Sequence, residues 1–351
     1  MSLYLAPAAL GLGDLVVTLP VVQQLIARGE SVYLVVRAEE HVELARRVCG
    51  LAGTRLEWEV PECLGEGDRF VDLRDHPLEK VAWWGSKPWL DKYPGWTIDD
   101  ILGTICGDKG LGIDFAAPYV PLRFVRRPEL ADKVLFVPGS AVSAKMWDEQ
   151  NWRRLASTEP DGAKRLEYAS NQPACSEPDG GKRLDYTSEL HDSLTVVQPL
   201  CGDRGEAVVI AERPMDGLPW YPTPTIADAL DAVSSAKAVI AVDTGIMHMA
   251  VHQGTPTVGI FRSSPVYARE RDHFVAVTAR KACDSICYMR EIGCGHNGRP
   301  LAGKDFVPAD WSCLSDTQHC LDTITPDDVL RALDVAINRR GRRRQRTGTL
   351  Q

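Results

Sequence analysis

The sequence predicts an α/β fold in two halves, each a parallel sheet covered by helices. Three observations predict it. Short apolar runs alternate with helical patterns through the first third of the chain. The same alternation restarts at Val134–Val137 (VLFV). Between the two stretches lies Val120–Leu130 (VPLRFVRRPEL), a connector containing Pro and Arg, where the boundary is placed. Strand and helix in alternation are the signature of parallel sheets. Two such halves joined by a linker place a ligand in the cleft between them.

The first half opens on the apolar run Leu3, Tyr4, Leu5 and reaches GLGDLVVTLP at Gly11–Pro20. An apolar helical pattern follows in Leu15, Leu19, Val22, Leu25 and Ile26. This is a strand, a tight loop and a helix start. Gly11 and Gly13 let the backbone come close to a ligand, and a helix N-terminus favours an anion or a polarised group. Asp14 at this point either caps the helix or acts as a general base, and on the motif alone the cap is the plainer reading. Val32–Val36 (VYLVV) is the next strand, Glu39–Val48 a helix, and Arg69–Leu73 (RFVDL) a further strand. Trp83, Trp84, Trp89 and Trp96 are first of all packing residues, with an aromatic platform for the acceptor as the second reading.

In the second half, VLFV runs into Pro138, Gly139 and Ser140, and Lys145 follows in Ser140–Trp152 (SAVSAKMWDEQNW). A lysine after a strand C-terminus can neutralise a diphosphate, although a single lysine is more often simply solvated. Strands are expected at Ala207–Ile210, Ala238–Val242 and Thr257–Phe261, with a helix at Ile226–Ser234. The strand AVIAV runs directly into Asp243, Thr244 and Gly245, and a helix begins there that carries His248. Such a junction aims backbone N–H groups and a hydroxyl at one point, as a phosphate requires. A helix capped by Asp243 or Thr244 is the plainer reading, and the two are compatible. Thr325–Asn338 (TPDDVLRALDVAIN) is a capped helix with Pro326 at its first position and Asp327 and Asp328 against the dipole.

The composition of the 351 residues is that of a globular chain, 44% hydrophobic and 25% charged. There is no run of about 18 apolar residues to span a membrane, and no basic-then-apolar leader at the start. A cytoplasmic protein, peripheral at most to the inner membrane, is expected. The net charge of -8 argues against a surface that coats nucleic acid. The exception is Arg339, Arg340, Arg342, Arg343, Arg344 and Arg346, read either as a disordered solvated tail or as a patch for an anionic surface or nucleic acid. Glu159–Ser170 (EPDGAKRLEYAS) and Glu177–Ser188 (EPDGGKRLDYTS) are near copies, read as a local duplication in an exposed insertion.

With GLGDLVVTLP, PGS…SAKMW and SSAKAVIAVDTGIMHMAVHQGTPTVGIF in place, the chain resembles glycosyltransferase family 9, the heptosyltransferases of lipopolysaccharide inner-core synthesis. The resemblance covers residues 1 to about 155 and 205 to about 335 and leaves the repeat-containing insertion outside. It implies a GT-B architecture of two Rossmann-like domains facing across a cleft. Residues 1–125 would form the acceptor side, and 126–338 the nucleotide-sugar side with an insertion near 157–200. A Cys-rich segment at 283–320 and a basic tail at 339–351 would complete the chain. It also implies inverting transfer of a sugar from a nucleotide-diphosphate donor, ADP-heptose by default, to a lipopolysaccharide core sugar without a catalytic metal. By the same resemblance Asp14 is the base, and Gly11 and Gly13 form the acceptor-side loop. Gly139, Ser140, Lys145, Asp243, Thr244, Gly245 and His248 bind the donor. The physical logic agrees, because inversion needs one base at the acceptor and charge stabilisation for the departing diphosphate.

One departure stands out. The family usually carries a Lys or Arg before the glycine loop, and here that stretch is Ala6-Pro7-Ala8-Ala9. A contact to acceptor or phosphate is missing, so the acceptor can differ from the family's. A protein or modified nucleic-acid acceptor is the alternative within the enzyme class. A non-catalytic GT-B scaffold and a GT-B epimerase are the alternatives outside it. Cys283, Cys287, Cys294, Cys313 and Cys320 fall within 38 residues. Read as ligands, Cys283, Cys287, Cys294 and Cys320 would hold a structural Zn or Fe; read plainly, they are reduced thiols.

Overall fold

The computed structural model describes residues 1–9, 11–80, 89, 92–140, 145–157, 199–200, 204–261, 271–279 and 320–348. The duplicated EPDG segments lie outside these residues, as do Trp83, Trp84, Cys283, Cys287, Cys294 and Cys313.

The first half is a four-stranded parallel sheet with order β3-β2-β1-β4. Its strands are β1 (Ser2–Ala6), β2 (Ser31–Val36), β3 (Gly53–Leu56) and β4 (Arg69–Asp72). Helix α1 (Leu12–Ala27) links β1 to β2, and α2 (Glu39–Ala45) follows β2. A single turn, α3 (Val60–Cys63), and α4 (Ile98–Asp108) complete the half. Helix α4 starts on a reciprocal cap: Asp100 N–H donates to Thr97 Oγ1, and Thr97 N–H donates to Asp100 Oδ2. Trp89 is fully buried and packs on Tyr93 and Trp96, with ring centroids 4.3 and 6.3 Å away. For Trp89 and Trp96 the packing reading holds.

The second half is a six-stranded sheet with order β10-β9-β8-β5-β7-β6. Its strands are β5 (Lys133–Val137), β6 (Pro199–Leu200), β7 (Gly205–Val209), β8 (Ala238–Val242), β9 (Thr257–Phe261) and β10 (Phe274–Thr278). All pairings are parallel except that of the edge strand β6 with β7. The five residues of β8 and the five of β9 are all buried, as strands covered by helices on both faces must be. The helices of this half are α5 (Glu149–Ser157), α6 (Ile226–Ser235), α7 (Gly245–His252) and α8 (Pro326–Gly348).

Helix α8 is longer than expected. It runs on through the arginines at 339–346 instead of releasing them as a disordered tail. Arginine is a good helix former, and one glycine in the run costs only about 1 kcal/mol. The start is as predicted: Asp328 N–H donates to Thr325 Oγ1, and Thr325 N–H donates to Asp328 Oδ2.

The connector is strapped to helices of both halves. Gln23 of α1 donates to Val120 O at 2.5 Å, and Gln24 binds Asp114 through both its amide atoms. Gln253, just past α7, does the same with Leu122, accepting its N–H at 2.7 Å. The Val125 N–H donates to the buried Asp231 of α6, which also pairs with Arg47 and Arg127. The apolar core is continuous from β1 through α1 into α7.

Candidate active site

Strand order decides where the ligand ends lie. In the first sheet β2 and β3 lie on one side of β1, and β4 on the other. In the second sheet β7 and β8 flank β5 on opposite sides. Each sheet therefore has a switch point, and crevices open at the strand C-termini there. Beyond β1 and β4 lie Gly11, Asp14 and Arg74; beyond β5 and β8 lie Gly139, Ser140, Lys145, Asp243 and Thr244.

The two crevices meet through α1 and α7. Gly13 lies in the first turn of α1, and a methyl group there would come within 2.9 Å of His248 Cδ2 and 3.8 Å of Gly245 Cα. A methyl group on Gly245 would strike Leu12 Cβ at 2.7 Å. Neither glycine has a positive φ. Their requirement is space for a neighbouring helix, whereas the sequence suggested space for a ligand. Gly11 is different: it holds the N-cap position of α1 and is exposed. Two helix N-termini thus converge, and both favour negative charge between them.

Asp14 is the third residue of α1 and accepts the Gly11 N–H at 2.9 Å. The cap foreseen for this carboxylate is present. Burial pushes its pKa up, against the opposing pull of that N–H, His248 and Lys145. Asp243 is buried at the end of β8. Lys145 Nζ lies 2.6 Å from its Oδ2, and His248 Nε2 lies 3.7 Å from its Oδ1. Burial opposes ionisation here too, but the Lys145 charge and the His248 ring override it and hold the carboxyl far below the usual carboxylate range. Thr244 occupies the N-cap position of α7, yet its hydroxyl makes no cap hydrogen bond to that helix. Gly139 is exposed and Ser140 half-buried, both in the loop that leads to Lys145.

Arg74 is a residue that the sequence reading missed. Its guanidinium grips Asp72 through two donors, Nε at 2.9 Å and Nη2 at 2.8 Å, and also reaches Glu57 Oε1 at 2.7 Å. With Gly11 and Leu15, the Glu57 and Arg74 side chains line a small depression at the ends of β1 and β2. Nothing in the spacing of residues 57, 72 and 74 shows that they meet, because β3 and β4 lie on opposite edges of the sheet.

Cys320 is buried in a short 3-10 turn before α8. Among the described residues no group of three or more His, Cys, Asp or Glu side chains could hold a metal, and no helix is long and apolar enough to cross a membrane.

Residues 205–280, from β7 through β10, match the family model for Glycosyltransferase family 9 (heptosyltransferase). In structure the chain is similar to the iron-containing dodecameric glycosyltransferase TibC from enterotoxigenic E. coli H10407, with a TM-score of 0.56 and 15% identity over 96% of this chain and 76% of that one. It is also similar to E. coli ADP-heptose lps heptosyltransferase II, with a TM-score of 0.50 and 14% identity over 96% and 99% of the two chains. A third likeness is to E. coli heptosyltransferase WaaC with ADP, with a TM-score of 0.50 and 12% identity over 80% and 93%. No curated protein gives a significant sequence match. The fold is α/β of GT-B type, the expected class.

Proposed function

We propose, for a glycosyltransferase of family 9, that the chain transfers a sugar from a nucleotide-diphosphate donor to an acceptor hydroxyl by a single inverting displacement. The observation that carries this reading is the Lys145–Asp243 ion pair at the second switch point, facing Asp14 at the first. The similar structures that bear ADP or ADP-heptose in their names support an ADP-linked heptose as donor and a lipopolysaccharide core sugar as acceptor.

In this reading Asp14 takes the proton of the acceptor hydroxyl. The oxygen attacks the anomeric carbon as the bond to the diphosphate breaks, and the nucleoside diphosphate leaves with the electron pair. A carboxylate whose pKa is raised by burial is the better base of the two. Lys145 stabilises the leaving diphosphate, with the Thr244 hydroxyl and the N-terminal amides of α7 beside it. Gly139 and Ser140 shape the loop that brings Lys145 there.

Asp243 has a different task from the one its motif suggests. Its carboxyl stays ionised, so it repels phosphate and cannot be a direct ligand. It anchors Lys145 instead. An ammonium has three donors, so one can stay on Asp243 while the others reach phosphate. His248 touches Gly13 on one side and Asp243 on the other, and so spaces the acceptor carboxylate from the donor site.

No step uses a metal. A structural ion at Cys283, Cys287, Cys294 and Cys320 is a separate proposal, supported by the iron in the name of the similar TibC. Stoichiometric Zn or Fe in elemental analysis of the folded protein is the expected result, and a metal-free folded protein rejects it. The transfer reading is tested by thermal shift with ADP and by turnover of ADP-heptose. ADP at about 100 times its Kd should add about 2.7 kcal/mol of stability. No stabilisation and no turnover would favour a non-catalytic scaffold.

A further inference from the structure

We propose that two exposed apolar patches of opposite charge, one on each side of the first sheet, join copies of this chain head to tail. The proposal is independent of the transfer reading and uses none of its residues.

Among the described residues, exposed large apolar side chains gather mainly at two places. The first is the crossover from β3 to β4, where Trp58 is 61% exposed, Leu64 39% and Phe70 42%. The second is the connector, where Val120 is 53% exposed, Phe124 42% and Val125 52%. Such residues are ordinary when scattered singly and mark a contact surface when gathered.

The two patches cannot meet within one molecule. Side chains alternate across β1: Leu3 and Leu5 join the main core, whereas Tyr4 and Ala6 join a small cluster with Val35 and Val60 on the other face. Phe70 is in register with Tyr4, and the crossover lies over that same face, since the Tyr4 hydroxyl donates to Cys63 O at 3.1 Å. The connector packs on the opposite side, where Leu122 belongs to the main core.

Charge then matches one patch to the other. In the crossover Glu62 and Glu66 are exposed, and Glu59 and Asp68 are half-buried. Glu59 accepts the Leu56 N–H, and Asp68 those of Ser2 and Gly65, which leaves both charges in place. Arg55, set over the Tyr33 ring at 4.9 Å, offsets one of the four. On the connector side Asp228 and Asp231 balance Arg47 and Arg127. Arg46, Arg123 and Arg126 are exposed beside Phe124 and Val125, with the Arg123 guanidinium on the Arg46 carbonyl at 2.7 Å.

A second copy of the chain is therefore the occupant. Either patch set against itself would bring like charges together, which disfavours a two-fold contact. Crossover against connector brings unlike charges and two apolar surfaces together. Such a contact is heterologous, so it closes into a ring or grows as a filament. Apolar burial supplies the affinity and the charges supply orientation, because exposed ion pairs stabilise little. A few large side chains per patch make a small interface, with a Kd on the order of 1–100 µM.

The test is sedimentation velocity on the full-length protein from about 1 to about 200 µM, at about 50 and about 500 mM NaCl. The mean mass should rise with concentration, and the higher salt should weaken association about tenfold. Arg46→Glu with Arg126→Glu breaks one patch, and Glu62→Arg with Glu66→Arg breaks the other. All four side chains are exposed, so both variants should melt as wild type does, and each alone should stay monomeric. An equimolar mixture of the two should associate again, because each supplies the patch that the other lacks. A wild type of constant mass would overturn the proposal. So would a mixture that stays monomeric, or dependence on one patch alone, which would make the contact two-fold. A monomeric wild type that co-sediments with phosphatidylserine vesicles, and loses this with Arg46→Glu and Arg126→Glu, would overturn it in favour of a lipid surface.

Discussion

Asp14 and Asp243 occupy matching places in the two halves, each beside the N-terminus of the helix that follows a central strand, yet their environments drive them in opposite directions. Asp14 meets burial with only partial compensation, and its pKa rises. Asp243 is more fully buried, but it has Lys145 at 2.6 Å and His248 at 3.7 Å, and its pKa falls. Two carboxylates separated in this way divide the labour: the one that holds a proton more readily suits proton transfer, and the one that never does suits fixed electrostatics. The lesson is that a shared position in a repeated strand–loop–helix unit does not fix a role. The counter-charge does.

The largest effect should come from removing the proposed base, Asp14. Asp14→Asn should lower kcat about 10²–10⁴-fold, with ADP affinity unchanged in calorimetry. Equal loss of ADP binding would break the division between the two aspartates. Lys145→Ala should weaken ADP about 10–100-fold, and an unchanged isotherm would remove it from the donor site. Asp243→Asn leaves a partly exposed lysine without its anchor and should cost about 1–3 kcal/mol in urea unfolding, with weaker ADP binding as a second effect. A catalytic loss without either change would make Asp243 a partner of the base, and the comparison would fail. Gly13→Ala should cost about 1–3 kcal/mol because its methyl group has no room against His248.

The smallest effect is also the sharpest. Asp243 has a depressed folded pKa, so its contribution is present above the unfolded value near pH 4 and is lost as pH falls below that. Asp14 has a raised folded pKa, so the stability tied to its protonated form is present below that value and is lost as pH rises through the folded pKa. Thermal melts from pH 3 to 7 should therefore show Asp243→Asn flattening the acid limb. Asp14→Asn should raise Tm slightly at neutral pH. Shifts of the same sign for both variants would refute the contrast.

Much of this was legible in the chain. Strands β1, β2, β4, β5, β7, β8 and β9 each follow an apolar run, and helices α1, α6 and α7 start where glycine or a hydroxyl residue meets an apolar period. Strand β3, with the sequence GTRL, was not legible, because one leucine in four residues gives no alternation. The proposed donor side could be read because its residues are continuous with strand ends. The Glu57–Arg74 pair could not, since the two residues are brought together only by the return of β4 to the far side of β1. Gly13 was visible and its meaning was not: a short residue records that something comes close, without saying whether that is substrate or another helix.

The glycine contact also constrains movement. With no space for one more carbon between α1 and α7, the halves are in direct contact right beside Asp14 and Asp243. Any rotation that keeps this contact moves the outer ends of the halves further than the residues beside it.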